Sequence, residues 1–178
     1  MKQIIPILFA ILLFSCKDSS VNNNNAPGII FEVETENYAW GIVYQGVMID
    51  ADGNEYSYNP GKDSISYLYH SDGYYTYQEL KSKYEHFKTY IKKVPSDSLS
   101  WSHNLSTKVT TTDYSDTSRE GADMGSSYFS VYIDRLGSGK YQKIILKVEG
   151  DWAYYNKSEN AIALAGWLKR LMSQGMIR

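Results

Sequence analysis

The stretch that decides the fold reads Phe129-Ser130-Val131-Tyr132-Ile133-Asp134 and, beyond Gly137-Ser138-Gly139, Lys143-Ile144-Ile145-Leu146-Lys147-Val148-Glu149. Phe129, Val131 and Ile133 alternate with Ser130, Tyr132 and Asp134. Ile144, Leu146 and Val148 alternate with Lys143, Lys147 and Glu149. Side chains along a strand point to opposite faces in turn, so each run has one apolar and one wet face. Two such runs across a glycine-rich turn predict an antiparallel hairpin. Gly150-Asp151 ends the second strand or marks a bulge.

Upstream, the pattern repeats. In Phe31-Glu32-Val33-Glu34 apolar and acidic residues alternate, and residues 38–50 are rich in β-branched and aromatic side chains. Asp50-Ala51-Asp52-Gly53-Asn54 is a turn cluster, and Glu55-Tyr56-Ser57-Tyr58 resumes an extended run, which predicts a second hairpin. Asn59-Pro60-Gly61 breaks the chain. Thr76 and Glu79 have the spacing of a capping box, with Tyr75 and Leu80 placed as a hydrophobic staple. Tyr77, Leu80, Tyr84, Phe87, Ile91 and Val94 step by three and four, which predicts a helix up to Pro95. A shorter helix is expected from Ser96 or Asp97, carrying Leu99, Trp101 and Leu105. Residues 106–126 read as the longest loop of the domain. A last helix is expected from Asn156 or Ser158, with Ile162, Ala165, Leu168, Leu171 and Met172 on its core stripe and Gly175 at its end. Trp101, Trp152 and Trp167 are expected in the core. Two hairpins and about three helices predict a single α+β domain over residues 29–178, built on a mostly antiparallel sheet.

The N-terminus has a different character. Lys2 precedes an apolar run from Ile4 to Phe14, interrupted by Pro6. Eleven helical residues span about 16 Å, roughly half a bilayer core, which is the length of a signal-peptide apolar region. Leu13-Phe14-Ser15-Cys16 resembles the lipobox of bacterial lipoproteins: an aliphatic residue, a tolerant position, a small residue and cysteine. Phe14 departs from the small residue commonest at its position. The resemblance covers residues 1–16. It implies a signal peptide over 1–15, cleavage before Cys16, and lipid attachment at Cys16. It also implies a membrane partner through that lipid and a cell-envelope address, at the outer membrane of a Gram-negative cell. Two or three acyl chains make a stable anchor where one does not. Residues 17–28 hold one apolar side chain larger than alanine and read, with Cys16, as a lipidated cysteine and a flexible Asn/Ser-rich tether over 16–28.

Cys16 is the single cysteine, so no disulfide staples the domain. The formal charge of −2 is too mild to imply a nucleic-acid partner. The Asp50–Asn54 cluster does not fit a calcium loop, which needs glycine at its sixth position and glutamate at its twelfth. Gly137-Ser138-Gly139-Lys140 lacks the upstream glycine and following hydroxyl of a phosphate loop. His70, His86 and His103 have no zinc spacing, and no Gly-x-Ser-x-Gly elbow exists. No cofactor or metal is implied. Seventeen tyrosines and four tryptophans are the unusual feature. Tyrosine suits both half-buried strands and sugar or protein contact. If a binding face exists, Trp40, Tyr56, Tyr58, Tyr67, Tyr69 and Tyr74 are its candidates. Asp123 and Asp151 are the candidate acidic pair, because glycosidases need two converging carboxylates. The favoured expectation is a non-enzymatic binding or interaction module whose partner is a glycan or an envelope protein. The alternatives are a hydrolase acting on glycan or peptidoglycan through paired carboxylates, and a protective or inhibitor lipoprotein.

Overall fold

A computed structural model of the chain describes residues 31–39, 41–59, 72–85, 88–134 and 138–175. In chain order these form β1 (Phe31–Asn37), β2 (Val43–Ile49), β3 (Asn54–Tyr58), β4 (Tyr74–Thr76), α1 (Tyr77–Glu85) and β5 (Lys88–Lys93). Then follow α2 (Ser96–Ser106), β6 (Ser118–Arg119), β7 (Ser126–Ile133), β8 (Lys140–Gly150), β9 (Trp152–Tyr155) and α3 (Glu159–Gly175). The result is an α+β architecture with a single antiparallel sheet of nine strands in the order β5-β3-β2-β1-β7-β8-β9-β6, with β4 also paired to β8. The pairs β2–β3 and β7–β8 supply four of those strands. β1 sits between them, with Val33 opposite Val47 on one side and Phe129 on the other.

The alternation in β1 sorts the sheet into two unlike faces. Phe31 and Val33 point into an aliphatic core with Ile49, Phe129, Val131, Ile144 and Leu146. α3 closes that core with Ala161, Leu164, Ala165, Trp167 and Leu168, and Leu99 and Leu105 of α2 pack against it. Full burial of one such large apolar side chain stabilises by about 1.5–3 kcal/mol. The Trp167 ring meets Phe31 edge-on at 5.0 Å, and its indole N–H donates to Ser98 Oγ at 2.9 Å, so the buried polar tip is satisfied. The other face carries Met48, Tyr58, Tyr75, Leu80, Tyr132 and Tyr141.

The turn chemistry expected at Asp50–Asn54 is present. The Asp50 carboxylate accepts the backbone N–H of Asp52 at 3.0 Å and of Asn54 at 2.8 Å, and Gly53 takes φ +81°. The capping box is present too: Thr76 N–H donates to Glu79 Oε2 at 2.7 Å, and Glu79 N–H donates to Thr76 Oγ1 at 3.3 Å.

Five expectations are corrected. The face of β7 and β8 expected to be wet is covered: Ser130 and Tyr132 are buried, and a register shift between Phe129 and Ser130 sets Val148 opposite Tyr128 and Lys147 opposite Phe129. The helix expected through Val94 ends at Glu85, and Lys88–Lys93 forms β5 along the edge of β3. Thr89, Tyr90 and Ile91 are strand-forming types, and pairing satisfies β3 backbone groups that a helix would leave open. The pairing shifts register beside Tyr56, so Ile91 is the residue left without an opposite number, and it is exposed. Phe87 and the side chain of Tyr84 lie outside the described residues. Trp101 and Trp152 are exposed, not core: Trp101 rides the outer side of α2 against the edge of Trp167, and Trp152 lies on β9 under the Arg119 guanidinium. Ile162 is half exposed because the core stripe of α3 runs through Ala161, Leu164, Ala165 and Leu168. Residues 106–126 form a strap along β9 rather than an open loop. Ser115 N–H donates to Tyr155 O at 2.9 Å, Glu120 N–H to Asp151 O at 3.0 Å, and Tyr114 bridges to the buried Asn156.

Candidate functional site

β1 places Glu32, Glu34 and Glu36 at successive positions on the tyrosine face. Glu32 is fully buried, and each of its oxygens accepts a phenol: Tyr58 Oη at 2.7 Å and Tyr132 Oη at 2.6 Å. Glu34 accepts Tyr44 Oη at 2.6 Å and lies 3.5 Å from Tyr58 Oη. Glu36 accepts Tyr128 Oη at 2.8 Å and Tyr38 Oη at 2.9 Å. Lys143 of β8 reaches both inner carboxylates, 3.5 Å from Glu32 and 3.4 Å from Glu34. Burial foremost, then the neighbouring glutamate charges, push the Tyr44 and Tyr58 phenols well above their ordinary value. These hydroxyls therefore stay protonated and serve as fixed donors.

Gly46 makes this arrangement possible. It lies opposite both Glu34 and Tyr58, and a β-carbon there would collide with the Tyr58 ring and with the Val33 carbonyl. With no side chain on β2 at that point, the Tyr58 ring crosses the strand and delivers its hydroxyl to β1.

The helix-bearing face has a different feature. α3 packs on β7 and β8, while β2, β3 and β5 extend beyond it. A half-open groove of about 620 Å³ lies there. Thr35, Gln45, Ser57 and Thr89 give it a polar floor, and Val47, Ile91 and Met172 give it apolar walls. Glu55 also lines it and is 1 % exposed. Its Oε2 accepts no hydrogen bond, and Lys92 Nζ stands 3.7 Å away, beyond hydrogen-bond reach. Burial raises the Glu55 carboxyl above its ordinary value, and the Lys92 charge offsets this only in part.

The residues singled out from sequence do not assemble into one site. Cys16, Trp40, Tyr67 and Tyr69 lie outside the described residues. Tyr58 is buried in the carboxylate network. Tyr56 is half-buried on the same face, edge-on to Tyr90 at 5.8 Å with Lys88 Nζ 4.7 Å above its ring. Tyr74 is exposed on β4, and β2, β1, β7 and β8 separate it from β3. Asp123 and Asp151 come to the same end of the sheet. Both Asp151 oxygens hold backbone there, accepting Met124 N–H at 3.0 Å and Gly125 N–H at 3.2 Å. Asp123 takes φ +67°, and its carbonyl accepts Asn37 Nδ2 at 3.0 Å. The sequence reading missed Glu32, Glu34, Gly46 and Glu55 as site residues. The alternation in β1 was the available signal for the glutamates, but it cannot show that both faces of the strand are covered.

Among the described residues no group of histidine, cysteine, aspartate and glutamate could hold a metal ion, and no helix is long and apolar enough to cross a membrane. The class defined by these features is an α+β protein with one face of its antiparallel sheet closed by tyrosine–carboxylate bonds and the other face grooved. No protein-family model matches the chain, and comparisons with curated proteins and with solved structures find no match either.

Proposed function

We propose that this chain is a lipid-anchored binding module of the bacterial cell envelope, tethered at the outer membrane through Cys16, with the groove over β2, β3 and β5 as its receptor surface. The observation that carries the binding reading is the groove itself: concave, mixed in polarity and continuous with the edge of the sheet. The lipobox-like Leu13-Phe14-Ser15-Cys16 and the polar tether supply the anchor. Binding is favoured over glycan hydrolysis because, among the described residues, Glu55 is the one carboxylate lining the groove, whereas hydrolysis needs two facing one another. Glu32 and Glu34 do converge, but they do so on the opposite face, with phenols on their oxygens. Two measurements test this. Metabolic labelling with a fatty-acid probe should mark the wild type and leave Cys16→Ala unmarked. A glycan array and a capture from envelope extracts should return a ligand that Thr89→Trp, which fills the groove, no longer holds. Ligands indifferent to Thr89→Trp, or silence in both screens with the protein folded, would count against the binding reading.

A further inference from the structure

We propose that the groove accepts a primary ammonium group on an apolar stem, of the kind a lysine side chain presents, with Glu55 Oε2 as its acceptor. This deepens the binding reading and rests on it. A carboxylate that is 1 % exposed and has an oxygen without a donor is costly, and Lys92 at 3.7 Å supplies charge without a hydrogen bond. An incoming N–H from a cation would supply both, at the wall of an existing groove. One open oxygen matches a compact ammonium better than a guanidinium, whose planar fork engages both oxygens of a carboxylate. The hydroxyls of Ser57 and Thr89, opposite one another on β3 and β5, can accept the remaining ammonium protons, while Val47 and Ile91 flank the stem. Met172, half-buried, lines the same groove, and its adaptable side chain reports on what enters it. Lys92 stands beside the same carboxylate, so a ligand with a carboxylate near its ammonium is favoured over a polycation.

The test uses the lipidated protein in detergent micelles at pH 8, labelled with ¹³C at the methionine methyl groups. The Met172 signal is assigned through Met172→Leu. The probes are Nα-acetyl-lysine and its Nζ-acetylated form, which keeps the stem and carboxylate but loses the cation. Nα-acetyl-lysine should shift the Met172 methyl saturably, the Nζ-acetylated probe should need at least ~10-fold more for the same shift, and Glu55→Gln should abolish this preference. A tenfold ratio corresponds to about 1.4 kcal/mol, within the range of a single hydrogen bond to a charged group. Equal shifts from the two probes, or a preference that survives Glu55→Gln, would overturn the ammonium assignment and leave the groove a binding site. Failure of both probes and of a soluble glycan pool to move Met172 would overturn the assignment and count against the binding reading as well.

Discussion

Removing one hydroxyl from the closed face measures how firmly that face is built. In Tyr132→Phe the ring stays, edge-on to Tyr75 at 5.7 Å, and only the bond to Glu32 Oε2 at 2.6 Å disappears. Both residues are buried, so water cannot take the lost donor's place without rearrangement. A hydrogen bond to a charged group contributes about 1.5–3 kcal/mol, and the deprived oxygen adds a desolvation penalty. Lys143 Nζ, 3.5 Å from the same oxygen, can move closer and recover part of this. The expected loss is therefore about 2 kcal/mol. For a chain of this size that lowers Tm by about 4–8 °C. Thermal and urea unfolding followed by circular dichroism reads it directly. Tyr90→Phe is the control: Tyr90 is exposed, and its hydroxyl should be worth less than about 0.5 kcal/mol. A double-mutant cycle with Glu32→Gln isolates the pair, because the charge-assisted bond exists only when both partners are present. The reasoning fails if Tyr132→Phe costs no more than Tyr90→Phe, or if the two changes at 132 and 32 are additive.

Three further outcomes follow from the same geometry. Gly46→Ala puts a methyl group into the Tyr58 ring and the Val33 carbonyl, and overpacking of this kind costs about 1–3 kcal/mol; an unchanged urea midpoint would contradict it. Glu55→Gln should stabilise the protein at neutral pH. Burial raises the folded-state carboxyl above 4.5, so the unfolded chain releases its proton first and the wild type loses stability as pH rises through the folded value. The Tm advantage of Glu55→Gln should thus shrink as pH falls through the raised folded value toward 4.5, and an advantage constant with pH would refute the cause given. In alkali, Tyr44, Tyr58 and Tyr128 should resist ionisation, since burial foremost and the glutamate charges hold all three above 10. Stability is then lost as pH climbs past 10, and the folded protein at pH 11 should show less phenolate absorbance than the same chain in guanidinium chloride; equal absorbance would rule the mechanism out.

Local chemistry was legible where the chain's near neighbours decide the outcome. The Asp50 turn and the Thr76–Glu79 capping box each involve residues a few positions apart, and each is formed as read. The alternation in Phe129–Ile133 and Ile144–Val148 does mark two paired strands, but not one apolar and one wet face: Ser130 and Tyr132 are buried, and a register shift beside Phe129 sets Val148 opposite Tyr128. What failed depends on distant partners. Tyr77, Leu80, Ile91 and Val94 keep helical spacing, yet the unpaired edge of β3 recruits Lys88–Lys93 as a strand, and no local pattern reports an edge some thirty residues upstream. Ile162 and Ala161 are adjacent and both apolar; which one faces the core depends on how α3 rotates over the sheet. The candidate site shows the same division. Tyr58 was singled out for its aromatic surface, but its role depends on Gly46 and on Glu32, 26 residues away. Glu55 reads as an ordinary polar residue of an alternating strand, and only the partial cover of the helices makes it a buried acid beside a groove.

The tyrosine content has a structural cause, and that cause decides where a ligand can bind. A central strand with glutamates at positions 32, 34 and 36 sends a row of carboxylates onto one face of the sheet, and buried carboxylates need donors. Tyrosine joins a large ring, which fills a pleated surface, to a hydroxyl at its tip. The donors arrive from both flanks of β1: Tyr44 on β2 and Tyr58 across Gly46 from one side, Tyr128 and Tyr132 on β7 from the other. A slip of β1 by one residue would drive Glu32 into the aliphatic core and strand four phenols, so the ladder enforces register as well as stability. The hydroxyls of Tyr44, Tyr58, Tyr128 and Tyr132 are thereby engaged within the protein rather than offered to a sugar or a partner. Among the described residues, Glu55 Oε2, on the opposite face beside the groove, is a buried carboxylate oxygen without a hydrogen-bond donor, and the proposed recognition rests there.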